Sequence, residues 1–523
     1  EVLIKIKEVL ENNKIDPILL IEILNDIFWH LNYSKDETKE YATKIKDILP
    51  DSLEFKINLG LMDDWGWSFR EDQVDLKKSQ QEWDDWTTKV ANETIEKYID
   101  QANLIDFLEE RVQKMTSSHF LSHATHTHFI GALIKVSPDF GITLGNYIIQ
   151  HPKSVLVYYF NLIIPYLERT HKKKEIELVA LALSSENSEL KRQVAISFSW
   201  GLVGSELVEE NNLKTLRLLI NSEDTDVKIS VINSLSRVIS EDKSLGLELI
   251  LDVDFKGSFK VASEVLSEFV KPGELSIGDL SQKDIDKIMK MLLECSSVDD
   301  YYLKGFLRTL SEINPGSVID LFERRIKKSI KIPRSKGDYH PLPFVFERDE
   351  PFNFSQSVLY EDVLRNLRDW IYDQPNVWQY EYFGKNLFSL VAGNYNGTVL
   401  KILDEWVTSG SSEKLINAAE LLTEAPRDFI LANSTYIISL LNNAQLFGEK
   451  TLDKVMSFIM SGIISGSKSG TPGEPFPEDI EIRRTAESLI RTLPLLSPAR
   501  KLYEEVYRVA ERDIARSLEE RFE

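Results

Sequence analysis

Half of the chain's eight histidines fall close together, at His119, His123, His126 and His128. On a helix over residues 117–136, His119, His123 and His126 share one face at spacings of four and three. Imidazole nitrogens so placed can ligate zinc. The segment has no cysteine, no His-Glu dipeptide, and only moderate helix propensity in Ser-His-Ala-Thr-His-Thr-His. A polar, half-buried helix surface or loop is therefore the stronger reading. His119, His123 and His126 stand as the metal candidates, and no cofactor is expected.

Other catalytic chemistry fares worse. The nearest approach to a phosphate loop is Gly462-Ile-Ile-Ser-Gly466-Ser-Lys468-Ser469. Only three residues separate its glycines, an extra one parts Gly466 from Lys468, and no buried strand precedes it. No Gly-x-Ser-x-Gly elbow occurs. Cys295, the single cysteine, lies in Leu-Leu-Glu-Cys-Ser-Ser without a local histidine, so a buried structural thiol is expected. Acidic pairs such as Asp63-Asp64, Asp84-Asp85 and Asp299-Asp300 point different ways on a helix and read as caps and solvated faces. No catalytic residue is assigned.

Recognition chemistry is better represented. Trp65, Trp67, Trp83 and Trp86 stand among Asp63, Asp64, Glu71, Asp72, Glu82, Asp84 and Asp85. Tryptophans ringed by acids suit a basic protein partner, because aromatics dominate binding hot spots and acids steer cations. The competing reading packs these rings between a long helix over 70–101 and the N-terminal helices. Tyr339, Phe344, Phe346, Phe352 and Phe354 pose the same choice in a segment broken by Pro333, Pro341, Pro343 and Pro351. The basic runs His171-Lys172-Lys173-Lys174 and Arg324-Arg325 with Lys327, Lys328, Lys331 and Arg334 read as helix ends, where cations favour the dipole.

The elements that must carry these residues are helical almost throughout. Leu19, Leu20, Ile23, Leu24, Ile27 and Phe28 recur at three and four, with Asp16 as cap and Pro17 at the first helical position. Ser185–Lys191 overlies Ser222–Lys228 at an offset of 37, and the match continues inward as Val194 over Val231 and Phe198 over Leu235. About two periods on come Tyr302, Phe306 and Leu310, while the unit around Phe259, Val265 and Phe269 is shortened. Each unit ends one helix, caps the next with an acidic turn (Asp224 or Asp226 in the second) and carries apolar residues inward. Helix pairs of this kind bury both faces only by stacking.

The Asp226-Val227-Lys228 start of the inner helix and the repeat over residues 174–330 resemble HEAT-like repeats. The fold expected is all-α, a right-handed α-solenoid of HEAT-like helix pairs with irregular insertions. The segments Glu420-Leu-Leu-Thr-Glu-Ala-Pro426-Arg-Asp-Phe and Gly470-Thr-Pro-Gly-Glu-Pro-Phe-Pro477 are similar to helical C-terminal regions of large bacterial STAND-type defence proteins. That resemblance implies an antiviral sensor region, with a nucleotide-binding or effector module upstream. A chain opening on Glu1 rather than methionine is compatible with it and equally with trimming.

The expected organisation has six segments: an N-terminal helical region (1–115), HEAT-like repeats (116–330), the Pro/aromatic insertion (331–360), further repeats (361–460), a mobile Gly/Ser/Pro loop (461–478) and a polar-backed C-terminal cap (479–523). A net charge of −22 disfavours nucleic acid, since phosphate contacts need concentrated Lys and Arg. No apolar run reaches the roughly 18 residues of a membrane span. One cysteine suits a cytoplasmic setting. The expected function is non-catalytic protein recognition, with a basic protein partner and an unassigned oligomeric state. The alternatives are a HEAT-like enzyme with a histidine-based metal site and a general assembly adaptor.

Overall fold

The computed structural model describes residues 51–62, 76–117, 127–200, 207–332, 339–344, 352–375, 377–465, 468, 471 and 473–519, together with Asp16, Ile18, Leu19 and Ile21. These form 24 α-helices and a few 3-10 turns, and among the described residues there is no strand. The chain divides into two compact units, Glu1–Asp254 and Phe255–Glu523.

In the first unit the helices are α1 (Leu53–Met62), α2 (Leu76–Lys97), α3 (Gln101–Ser117), α4 (Thr127–Val136), α5 (Pro138–Gln150), α6 (Phe160–Thr170), α7 (Lys172–Ser184), α8 (Ser188–Trp200), α9 (Glu210–Ile220), α10 (Thr225–Glu241) and α11 (Lys243–Asp252). Helices α4, α6, α8 and α10 pack one on the next as an inner row. Helices α5, α7, α9 and α11 lean on that row from one side. The two inner helices related by the repeat begin with the same turn. Ser185 Oγ accepts from the N–H of Asn187 and Ser222 Oγ from that of Asp224. Asn187 then caps α8 through the N–H of Leu190, and Asp224 caps α10 through those of Asp226 and Val227. The cap is thus Asp224, two residues ahead of Asp226. Leu190, Val194 and Phe198 on α8 and Val227, Val231 and Leu235 on α10 are wholly buried. Ser234 Oγ on α10 donates to the carbonyl of Ala195 (2.8 Å), locking the two helices in register. At the chain's start, the N–H of Ile18 donates to Asp16, as expected of a cap.

The second unit holds α12 (Phe259–Val270), α13 (Gln282–Leu292), α14 (Tyr301–Ile313), α15 (Pro315–Lys331), α16 (Tyr360–Tyr372), α17 (Trp378–Ala392), α18 (Gly397–Val407), α19 (Ser412–Leu421), α20 (Arg427–Ala432), α21 (Ser434–Leu446), α22 (Glu449–Ile464), α23 (Pro477–Thr492) and α24 (Pro498–Glu519). One row runs α13, α15, α16, α18, α21; the other runs α12, α14, then α17, α19, α22 and α24. Between α14 and α17 the slot of a helix is taken by a 3-10 turn, Asn353–Gln356. Phe352 and Phe354 stack there, and the N–H of Asn353 donates to Ser311 Oγ (2.9 Å). Prolines forbid a helix in this segment, so it fills the row with two rings instead.

Helix α22 continues to Ile464, so the first residues expected in a mobile loop are helical. Gly462 permits this. A Cβ there would lie 2.7 Å from Ile430 Cδ1 and 3.0 Å from the carbonyl of Leu422. Beyond α22, Lys468 ties the chain down by pairing with Asp479 (2.7 Å) and Asp513 (2.8 Å). Burial works against its charge, but the two aspartates outweigh that and raise its pKa. The lysine of the phosphate-loop candidate is a structural pin.

Candidate partner-binding surface

The tryptophan group on α2 is partly a packing device. Trp83 is 1% exposed and stacks on Trp86 with ring centroids 5.1 Å apart. His128 on α4 lies against Trp83, and its Nε2 meets Asp84 Oδ1 at 2.8 Å. The fourth histidine of the cluster therefore serves the α2–α4 contact. His119, His123, His126, Trp65 and Trp67 lie outside the described residues. Among the described residues, no group of histidine, cysteine and carboxylate side chains could hold a metal ion.

The Pro/aromatic segment is also largely absorbed. Arg325 on α15 is fully buried and donates to four backbone carbonyls: Leu292 (2.5 Å), Cys295 (2.8 Å), His340 (2.7 Å) and Pro341 (3.0 Å). The first two close the end of α13; the last two belong to the segment. Tyr339 lies over that guanidinium and donates its hydroxyl to the carbonyl of Leu293 (2.8 Å). Burial pushes the Tyr339 phenol up to about 12, so it keeps the proton it donates. Lys328 reaches the same carbonyl and Glu294. Arg325 and Lys328, two cations of the run read as a helix end, are thus engaged in holding the fold. Cys295 is buried, as expected of a structural thiol, and burial raises its pKa.

The partner candidates therefore separate. Phe352 is 5% exposed with its ring edge against Phe322, which makes it a core side chain rather than a surface anchor. Trp83 is a core side chain for the same reason. Tyr339 is half-buried as a strut, Phe346 lies outside the described residues, and Phe344 alone of the segment's described candidates stands exposed, at 56%.

A larger aromatic face lies at the start of α17, where sequence reasoning did not look. Trp378 is 53% and Tyr382 50% exposed, with ring centroids 6.2 Å apart. Phe383 meets Tyr382 edge-on at 5.2 Å, and Tyr380 meets Trp370 of α16 at 6.4 Å. Lys327 covers Trp370 from α15. Gly384 lets α17 close on Ile371, where a Cβ would touch at 3.3 Å, so the rings are held against α16. Glu381, in the same helical turn as Trp378 and Tyr382, is exposed. The signal was present in Trp378-Gln-Tyr-Glu-Tyr-Phe383: four aromatics in six residues span more of a helix circumference than one buried face.

No helix among the described residues is long and apolar enough to cross a membrane. No family model matches the sequence, and no curated protein matches it. Among solved structures it is similar to a chain of the Kap95:Nup1 complex, at 12% identity over 99% of this chain and 68% of that one, with a TM-score of 0.38. It is similar to a homology model of the full-length AP-3 complex in an intermediate open conformation, at 11% identity over 97% and 93%, with a TM-score of 0.27. A third is UNC-45 from Drosophila melanogaster, at 13% identity over 98% and 80%, with a TM-score of 0.22. Values this low leave function to be read from the chain's own surface.

Proposed function

We propose that the chain is a non-catalytic scaffold for protein recognition, and that the start of α17 is its principal anchor. The observation that carries this reading is the exposed pair Trp378 and Tyr382 on a rigid helix. Large, stiff aromatics in such a place supply contact area at little conformational cost and dominate measured hot spots. The partner is basic. Glu381 stands in the same helical turn as the rings, the whole chain carries −22, and an arginine or lysine can rest on an indole face. A role as the sensing part of a bacterial antiviral protein is supported only by the C-terminal resemblance. The test is partner capture with Trp378 and Tyr382 replaced by alanine, set against replacement of the still more exposed Leu495 and Leu496.

A further inference from the structure

The beginnings of α7 and α9 gather three carboxylates around one ammonium. Lys172 Nζ donates to Glu168 of α6 (3.1 Å) and to Glu209, the cap of α9. Glu175, one turn further along α7, is 2% exposed, and its carboxyl lies within hydrogen-bond reach of the Glu168 carboxylate. Burial first, and Glu168 second, push the Glu175 carboxyl up to about 8. The charged groups acting on it are Glu168 from α6, Lys172 on its own helix and Glu209 ahead of α9. Across the way, Lys214 of α9 is occupied by Glu210 (2.7 Å). One cation for three carboxylates leaves Glu175 neutral at pH 7 and leaves room for a second cation.

Glu175 also lines a groove of about 410 Å³ between α7 and α9. Its walls include Ile176, Val179, Leu183 and Leu218, and Leu218, at 63%, and Ile176, at 38%, are exposed on the two helices. Apolar walls leading to a carboxyl match a side chain with an aliphatic stem and a charged tip. We propose that this groove takes a lysine or arginine side chain of a protein partner, its cationic head at Glu175 and its stem along Ile176, Val179 and Leu218. Binding exchanges a proton for the cation. The Glu175 carboxylic acid releases H⁺ to solvent, and the carboxylate left behind pairs with the ammonium or guanidinium. The site belongs to the first unit and uses none of the residues of the α17 face.

The test is methyl-labelled NMR of the whole chain, with pentalysine and pentaarginine as probes at physiological salt. The Ile176 and Leu218 methyl signals should shift with either probe and not with Nε-acetylated pentalysine. Because one proton leaves on binding, affinity should rise about tenfold between pH 6.5 and 7.5. Glu175→Gln mimics the neutral acid and keeps the fold; at pH 8 it should bind about tenfold more weakly and lose the pH slope. Leu218→Ala, at an exposed site, should weaken binding about threefold through lost stem contact. Absent shifts, equal shifts with the acetylated probe, or an unchanged pH slope in Glu175→Gln would each overturn the proposal.

Discussion

The guanidinium of Arg325 lies 4.6 Å from the ring centroid of Tyr339, and together they seal the Pro/aromatic segment onto α13 and α15. The arginine has no carboxylate partner among its hydrogen bonds; carbonyl oxygens take its N–H groups. Its planar fork is what reaches four of them at once.

Replacing Arg325 with methionine should therefore strand three carbonyls, those of Cys295, His340 and Pro341, while that of Leu292 keeps the N–H of Cys295 (3.2 Å). Each unsatisfied group costs about 1–3 kcal/mol, so a loss of roughly 3 kcal/mol or more is expected in urea unfolding. Arg325→Lys should recover only part of it, because an ammonium cannot span the same acceptors. Tyr339→Phe removes one hydrogen bond and should cost about 1 kcal/mol. An Arg325→Met protein as stable as the parent would contradict this role.

Glu175 makes stability pH-dependent in a stated direction. Its carboxyl moves from an ordinary 4.5 to about 8 in the fold. Between those values the folded chain holds a proton that the unfolded chain has lost. Stability from this group is thus complete below pH 4.5 and is lost as pH rises towards 8, by at most about 1.4 kcal/mol per unit. Glu175→Gln has no proton to lose. The stability difference between variant and parent should therefore grow in the variant's favour from pH 5 to pH 8, as denaturant midpoints would record.

Lys468→Met should destabilise the C-terminal helices. It leaves Asp479, 1% exposed, without its cation, and stranding a buried charge costs about 3–5 kcal/mol. The double variant Lys468→Met/Asp479→Asn should recover much of the loss. No recovery would mean that the lysine acts through packing alone.

Gly462→Ala should cost about 1–3 kcal/mol, because the new methyl meets a carbonyl oxygen at 3.0 Å as well as a movable side chain. An unchanged melting temperature would show that α22 can shift away from the turn at 422–424.

The helices and their repeat were legible because their signals are local. Ser185 and Asn187, or Ser222 and Asp224, form their turns within three residues, so the same chemistry leaves the same letters at an offset of 37. Core positions such as Val194 and Leu235 followed from helical spacing. The fate of the Pro/aromatic segment was not legible. It depends on Arg325 reaching carbonyls 15 to 33 residues away, and on Phe352 entering a gap in a helix row. Backbone acceptors have no residue type, so such bonds write nothing into the sequence. Lys468 looked free beside glycines because both its aspartates come from later helices. The α17 aromatics were visible as letters, and only their exposure needed the packed structure.

If Trp378 and Tyr382 anchor a basic partner, removing them must weaken binding by a measurable factor. A partner captured by the parent chain should bind Trp378→Ala/Tyr382→Ala at least 30-fold more weakly, the factor that corresponds to about 2 kcal/mol of hot-spot loss. The Leu495→Ala/Leu496→Ala control should bind as the parent does, and circular dichroism should show equal helix content in all three. Unchanged affinity in the aromatic variant, with its helices intact, would contradict the account.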